Sequence, residues 1–345
     1  MEVASLGPEM AGPEEEAALE ALKDELAKTP EDLPGRNWLV NVADDLTYLR
    51  FLRGHQLKVK KSLKLLKHCA KWRVEFGTDE ILETWPQNKS FGAQLVRKHW
   101  PMAVTGKDFA QRPIHYFHIS LVDFPALIKN AGMANLVRHN VFLMETALRA
   151  NPRGEAIMIV DLGSDQGRTA FSIASATRWL QSVVLFVKAM AKIADPFYPE
   201  SYHRIYFTRV HAIFERMYKS MSGNLNEATL SKVQVLQKTD ILATLMEDMP
   251  KESIPPTLGG DSQASIAKGG YITDEDIAEA RALADESGQG DQEEDVPVHV
   301  ELDAELDAEE DCFDGDSDTS KRMSLRKSLS RRLSRLSSRS SGKTK

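Results

Sequence analysis

Three residues near the middle of the chain have types and spacing that could do chemistry. Glu200 lies in "DPFYPESYHRIYFTRV" (195–210), between a Tyr-Pro step and "RIYFTRV", whose aromatic and β-branched content predicts an interior strand. Thr229 and Lys232 stand one helical turn apart in "NEATLSKVQVL", just before a second apolar run. A carboxylate, a hydroxyl and an ammonium at the ends of buried strands can hold a polar ligand. They can equally form a structural ion pair joining two loops, and spacing alone favours the ion pair.

Patterns that would announce covalent chemistry are absent. There is no GxSxG elbow, no HExxH, no Walker loop and no GxGxxG after a strand. "VTGKDF" holds a Gly-Lys step without the upstream glycine or the Ser/Thr that would bind magnesium. His115 and His118, three apart on one proposed strand, fall on opposite faces and read as structural histidines. Asp161, ending "IMIVD", reads as an acid satisfied by the turn that follows it. Cys69 and Cys312 belong to no CxxC or Cys/His cluster, so neither a disulfide framework nor zinc is indicated. The expectation is a protein that is not an enzyme and carries no cofactor or metal.

The elements that must position these residues alternate in character. Residues 14–28 predict a polar helix that two prolines and a glycine end. "DDLTYLRFLRGHQLKVKKSLKLLKHCAKWRVEF" places Leu46, Leu49, Leu52 and then, past Gly54, Leu63, Leu66, Cys69 and Trp72 at helical spacing, with basic faces that read as solvated. Strands are predicted at 112–120, in the near-continuous apolar run "EAIMIVDLGS", at "RIYFTRV" and at "VQVL". Helices are predicted at 136–150, 169–192 and 211–222 and before "MPKESIPPTLGG". Strands alternating with helices indicate an α/β fold containing parallel strand pairs.

The ends differ from this body. The chain has 345 residues and a net charge of −7, but 321–345 carries ten Lys or Arg and no acid, leaving −17 on the rest. From 274 to 318 there are 20 acids and one base, Arg281, so 262–320 is expected to be a disordered acidic linker. In the basic tail, Leu325, Leu329, Leu333 and Leu336 would share one face of a helix. "RRLS" and the Arg-x-Ser spacing make Ser328 and Ser334 phosphorylation candidates for a kinase. Without interleaved aromatics the tail does not suggest a nucleic-acid partner. No apolar run approaches the roughly 18 residues of a membrane span, and the acidic N-terminus lacks the regions of a signal peptide. A cytoplasmic monomer that touches membranes reversibly is expected.

The order "LRFLRGHQLKVKKSLKLLKHCAKWR", "RPIHYFHI", "IMIVDLGS", "YPESYHRIYF", "ATLSKVQVL", "IPPTLGG" resembles the CRAL-TRIO lipid-binding family, within it the phosphatidylinositol/phosphatidylcholine transfer proteins, from about Asp44 to Gly260. The resemblance implies a helical domain at 36–90, preceded by a partly helical polar segment at 1–35. It implies a lipid-binding domain at 91–261, whose mixed sheet floors an apolar pocket closed by a gate helix. The gate would carry Val210, Ile213, Phe214, Met217, Tyr218 and Met221 at helical spacing. It also implies that Glu200, Thr229 and Lys232 hold a phosphatidylinositol headgroup, with His55 and Asp108 as further candidates. Two departures weaken anion binding: His55 stands where the family has arginine, and Ser201 replaces a basic residue. Tyrosines and small hydroxyl residues of the choline-lipid pocket appear here as Val104, His115, Ala156 and Met158, so weak choline-lipid binding is expected, and a sterol or another hydrophobic molecule fits as a second ligand.

Overall fold

Leu19, Leu22 and Leu26 recur at i, i+3 and i+7, and that spacing becomes the buried stripe of helix α1 (Pro13–Ala27). The computed structural model describes residues 12–151, 154–163, 173–210, 230–236, 239–267 and 269–289. Helix α2 (Asp45–Gly54) starts at Asp44, whose carboxylate accepts from the Thr47 amide at 2.8 Å. Helix α3 (Val59–Phe76) stops at Gly77, where φ is +72°. The three helices pack around Leu22, Leu39, Leu52, Leu66 and Trp72, and the same core takes in Val137, Val141 and Ile193 of the following domain. A boundary at residue 35 therefore does not follow the packing, because α1 is part of the bundle.

Two short helices, α4 (Ile81–Gln87) and α5 (Phe91–His99), lead into a five-stranded mixed sheet. Its strands are β1 (Met102–Lys107), β2 (Pro113–Phe117), β3 (Ala156–Asp161), β4 (Tyr202–Thr208) and β5 (Val233–Val235), ordered β1-β2-β3-β4-β5. Only β1 and β2 pair antiparallel. Parallel strands laid down in sequence order and joined by right-handed crossovers put their connecting helices on one face. That face carries α6 (Phe124–Ala150) and α7 (Ile173–Phe197), with Phe117, Val160 and Phe207 packed among Phe124, Trp179 and Phe186. The opposite face packs Tyr116, Ile157, Ile159 and Tyr206 with Leu245 of α8 (Ile241–Asp248). Both faces being covered accounts for the unbroken apolar run of β3.

The differences from expectation have local causes. Strand β1 was not predicted, since "MAVTGK" is short, contains a glycine and lies at an edge. Helix α6 begins twelve residues early, at an Asp123 cap, and tolerates a break at Gly132, where φ is +77°. The gate stretch past Val210, and the tail serines Ser328 and Ser334, lie outside the described residues.

The acidic linker is corrected at its start, because residues 274–287 form helix α9 (Asp274–Ser287). A capping box between Thr273 and Asp276 begins it. Ile277, Ala280 and Ala284 give it a narrow apolar stripe that joins the core against α5, and Lys98 pairs with Asp276 at 2.8 Å and Glu279 at 2.6 Å. Alanines supply the buried face, so composition hid it. Replacing Ala284, 1% exposed, by Glu should undock α9 at a cost of about 1–3 kcal/mol. Limited proteolysis should then cut 262–289 faster while the rest of the chain stays protected.

Candidate ligand-binding site

Glu200 lies in the turn between α7 and β4 with φ at +55°, a left-handed backbone that costs a non-glycine residue about 1–2 kcal/mol. Strain of this kind persists only where neighbours impose it. Here Trp72 stacks on Phe197 with centroids 4.3 Å apart, and the Tyr198 hydroxyl donates to Glu145 at 2.7 Å. Glu145 in turn is gripped by Arg73 at 2.8 and 3.3 Å, so the residues before Glu200 are tied to both α3 and α6. The end of α2 closes against the same turn. A Cβ on Gly54 would stand 3.0 Å from the Pro199 Cβ and 3.9 Å from the Glu200 Cγ, so only glycine allows this approach without displacement. His55 follows directly, half-buried.

Lys232 precedes β5, and its carbonyl accepts from the Ile205 amide at 3.0 Å. The parallel register thus brings it beside the start of β4, where its Nζ donates to Glu200 Oε2 at 2.7 Å. The two side chains are 21% and 22% exposed, so solvent screens the pair and holds its worth to about 1 kcal/mol or less. The pair that spacing suggested is therefore formed, and its partial exposure leaves both groups able to exchange partners. Thr229, the third member of the set, lies outside the described residues. Asp108 is buried in the β1–β2 turn, where it accepts from the Arg112 amide at 2.7 Å and Nη1 at 3.1 Å. Its carboxylate is committed to that turn.

The four proposed pocket residues share one face of the sheet. Val104, His115 and Met158 are register partners across β1, β2 and β3, and Ala156 is two residues from Met158 on the same strand. Val104 is exposed at the edge, whereas His115 is buried at 2%. A small cavity of about 10 Å³, room for one water, is walled by His115, Ala156, Gly154, Tyr198, Ser201 and Tyr202. Burial pulls the His115 pKa down to about 4, which keeps it neutral at pH 7. Sequence reasoning missed Tyr198 and Tyr202; two tyrosines flanking the Glu200 turn were the available signal.

Asp161 does what its position predicted, accepting from the Gly163 amide at 2.9 Å. It also takes a two-pronged contact from Arg209, 2.7 Å at each oxygen, and a hydrogen bond from Tyr116. Among the described residues no three His, Cys, Asp or Glu are grouped to hold a metal ion, and no helix is long and apolar enough to cross a membrane.

Comparison with known proteins fits this architecture. Residues 97–260 match the model of the CRAL/TRIO domain family. It is 27% identical over 236 residues to the SEC14 cytosolic factor of Kluyveromyces lactis, covering 67% of this chain and 76% of that protein. It is 25% identical over 242 residues to the phosphatidylinositol/phosphatidylcholine transfer protein SFH11 of Arabidopsis thaliana, covering 67% and 61%. The crystal structure of Sfh5 shares the fold with a TM-score of 0.53 at 16% identity, over 81% of this chain and 99% of that one.

His115 and His139 together give a pH signature. Burial depresses their pKa values to about 4 and about 3, below the ordinary 6.5, so the unfolded chain binds protons first as pH falls. Folding stability should be flat above pH 6.5 with respect to these groups and decline from 6.5 down to about 3, the lower of the two folded-state values. Urea denaturation across that range should show a shallower decline for His115→Gln.

Proposed function

We propose that the protein binds phosphatidylinositol and carries or presents it between membranes without covalent chemistry. The observation that carries this reading is the Glu200–Lys232 pair, brought together from two strands beside the end of α2 on a CRAL/TRIO domain. An ammonium suits the phosphate of the lipid, and a carboxylate suits inositol hydroxyls. The strained Glu200 backbone and the partial exposure of the pair support a site that trades partners. That relatives are named as phosphatidylinositol/phosphatidylcholine transfer proteins supports the ligand class.

The benefit of such a carrier is physical. At about 0.8 kcal/mol per methylene, bringing one long acyl chain into water costs on the order of ten kcal/mol. A sheltered cavity removes most of that barrier, and a gate formed by the stretch from Val210 onwards, including Ile213, Phe214, Met217, Tyr218 and Met221, would open it at the membrane. Choline lipids should bind weakly, because Val104, Ala156 and Met158 offer no polar group and His115 is neutral. The protein works as a cytoplasmic monomer in reversible membrane contact, with phosphorylation at Ser328 and Ser334 weakening the hold of the basic tail on anionic lipid.

Vesicle assays test the assignment. Glu200→Ala and Lys232→Ala should each lower phosphatidylinositol uptake at least about tenfold, since each removes a charged hydrogen-bond partner. Their melting temperatures should shift by no more than a few degrees, as a screened pair stabilises little. Undiminished uptake in both variants would return the pair to a purely structural role.

A further inference from the structure

One buried cation in the described structure has no hydrogen-bond or ion-pair partner. Arg50 of α2 is 7% exposed, and its Nη1 is sealed from solvent without a hydrogen-bond partner. The guanidinium makes no hydrogen bond and no ion pair among the described residues. Glu145 is the acid whose field it feels most, but that carboxylate already accepts from both Arg73 and Tyr198. A guanidinium cannot discard its proton to escape burial, so an uncompensated one is among the most destabilising groups a core can hold. An anion that arrives with a ligand resolves the imbalance.

Its location points to which anion. Arg50 is four residues before Gly54 on one helix face, and Gly54 abuts Pro199 and Glu200. The Arg50 side chain crosses Gly154, where an added Cβ would lie 2.7 Å from both Cδ and Nε, at a backbone φ of +71°. Gly154 in turn walls the small cavity next to Ser201 and Tyr198, with space for a single oxygen atom. We propose that Arg50 is a second phosphate-binding residue of the headgroup site, its guanidinium donating to a phosphodiester oxygen that Lys232 also faces, while the inositol lies at Glu200. The inference rests on the phosphatidylinositol reading of that site. It selects anionic phospholipids over sterols and other neutral ligands, which bring no charge to match Arg50.

The full-length protein tests this with Arg50→Met, which keeps the apolar stem, and Arg50→Lys, which keeps a charge but loses the fork. Uptake is read from phosphatidylcholine vesicles containing phosphatidylinositol, and stability from melting of the lipid-free protein. Arg50→Met should take up phosphatidylinositol at least about tenfold less well while melting at or above the wild-type temperature; Arg50→Lys should fall between. Uptake by Arg50→Met within about twofold of wild type overturns the proposal. So does a lower melting temperature in both variants, which would make Arg50 structural. Inorganic phosphate without vesicles separates the sources: a melting rise that Arg50→Met lacks, with undiminished lipid uptake, assigns a free anion and overturns the lipid form. Wild-type protein that takes up no phosphatidylinositol removes the headgroup reading as well as this one.

Discussion

The contact on which the molecule most depends is the buried triad of Arg73, Glu145 and Tyr198. Arg73 belongs to α3, Glu145 to α6, and Tyr198 to the turn that carries Glu200. Asp79 adds a second carboxylate to Arg73 at 2.7 Å, and the guanidinium lies 4.6 Å from the Trp38 ring centroid. Losing Arg73 leaves the buried Glu145 carboxylate uncompensated, which costs about 3–5 kcal/mol, whereas the intact set roughly offsets its own desolvation. Its contribution is therefore positional. It makes the helical bundle and the sheet domain one body and fixes where the chain enters β4.

That fixed entry explains why strain gathers at the ends of β4. Glu200 before it and Arg209 after it both adopt positive φ, +55° and +51°. Arg209 is held by the two-pronged contact with Asp161, as Glu200 is held through Tyr198. A strand clamped at both ends in unfavourable backbone conformations cannot slide, so the register that delivers Lys232 to Glu200 through β5 is preserved.

Much of this was legible in the sequence where one physical signal dominated. The run "AIMIVD" could only be a strand covered twice, and the leucines of α2 and α3 had one periodic solution. The Glu200–Lys232 pair was legible as chemistry but not as geometry, since nothing local says that β5 lies beside β4. Helix α9 was missed because alanines at Ala280 and Ala284 bury a face while contributing little to hydrophobic composition, and the surrounding acids masked the stripe. Arg50 was missed for the opposite reason. In a chain of alternating leucines and arginines, an arginine reads as solvated, and only packing against Gly154 reveals that it is not.

The distribution of charge across the domain sorts possible ligands by their polar ends. On the face that carries α6 and α7, the row Val104, His115, Met158 and Ile205 offers no charge, because burial keeps His115 neutral. At the strand ends the polar groups are concentrated and partly solvated. A ligand with a long apolar body and one charged end satisfies both regions at once, while a ligand with its charge in the middle would strand that charge against methyl groups.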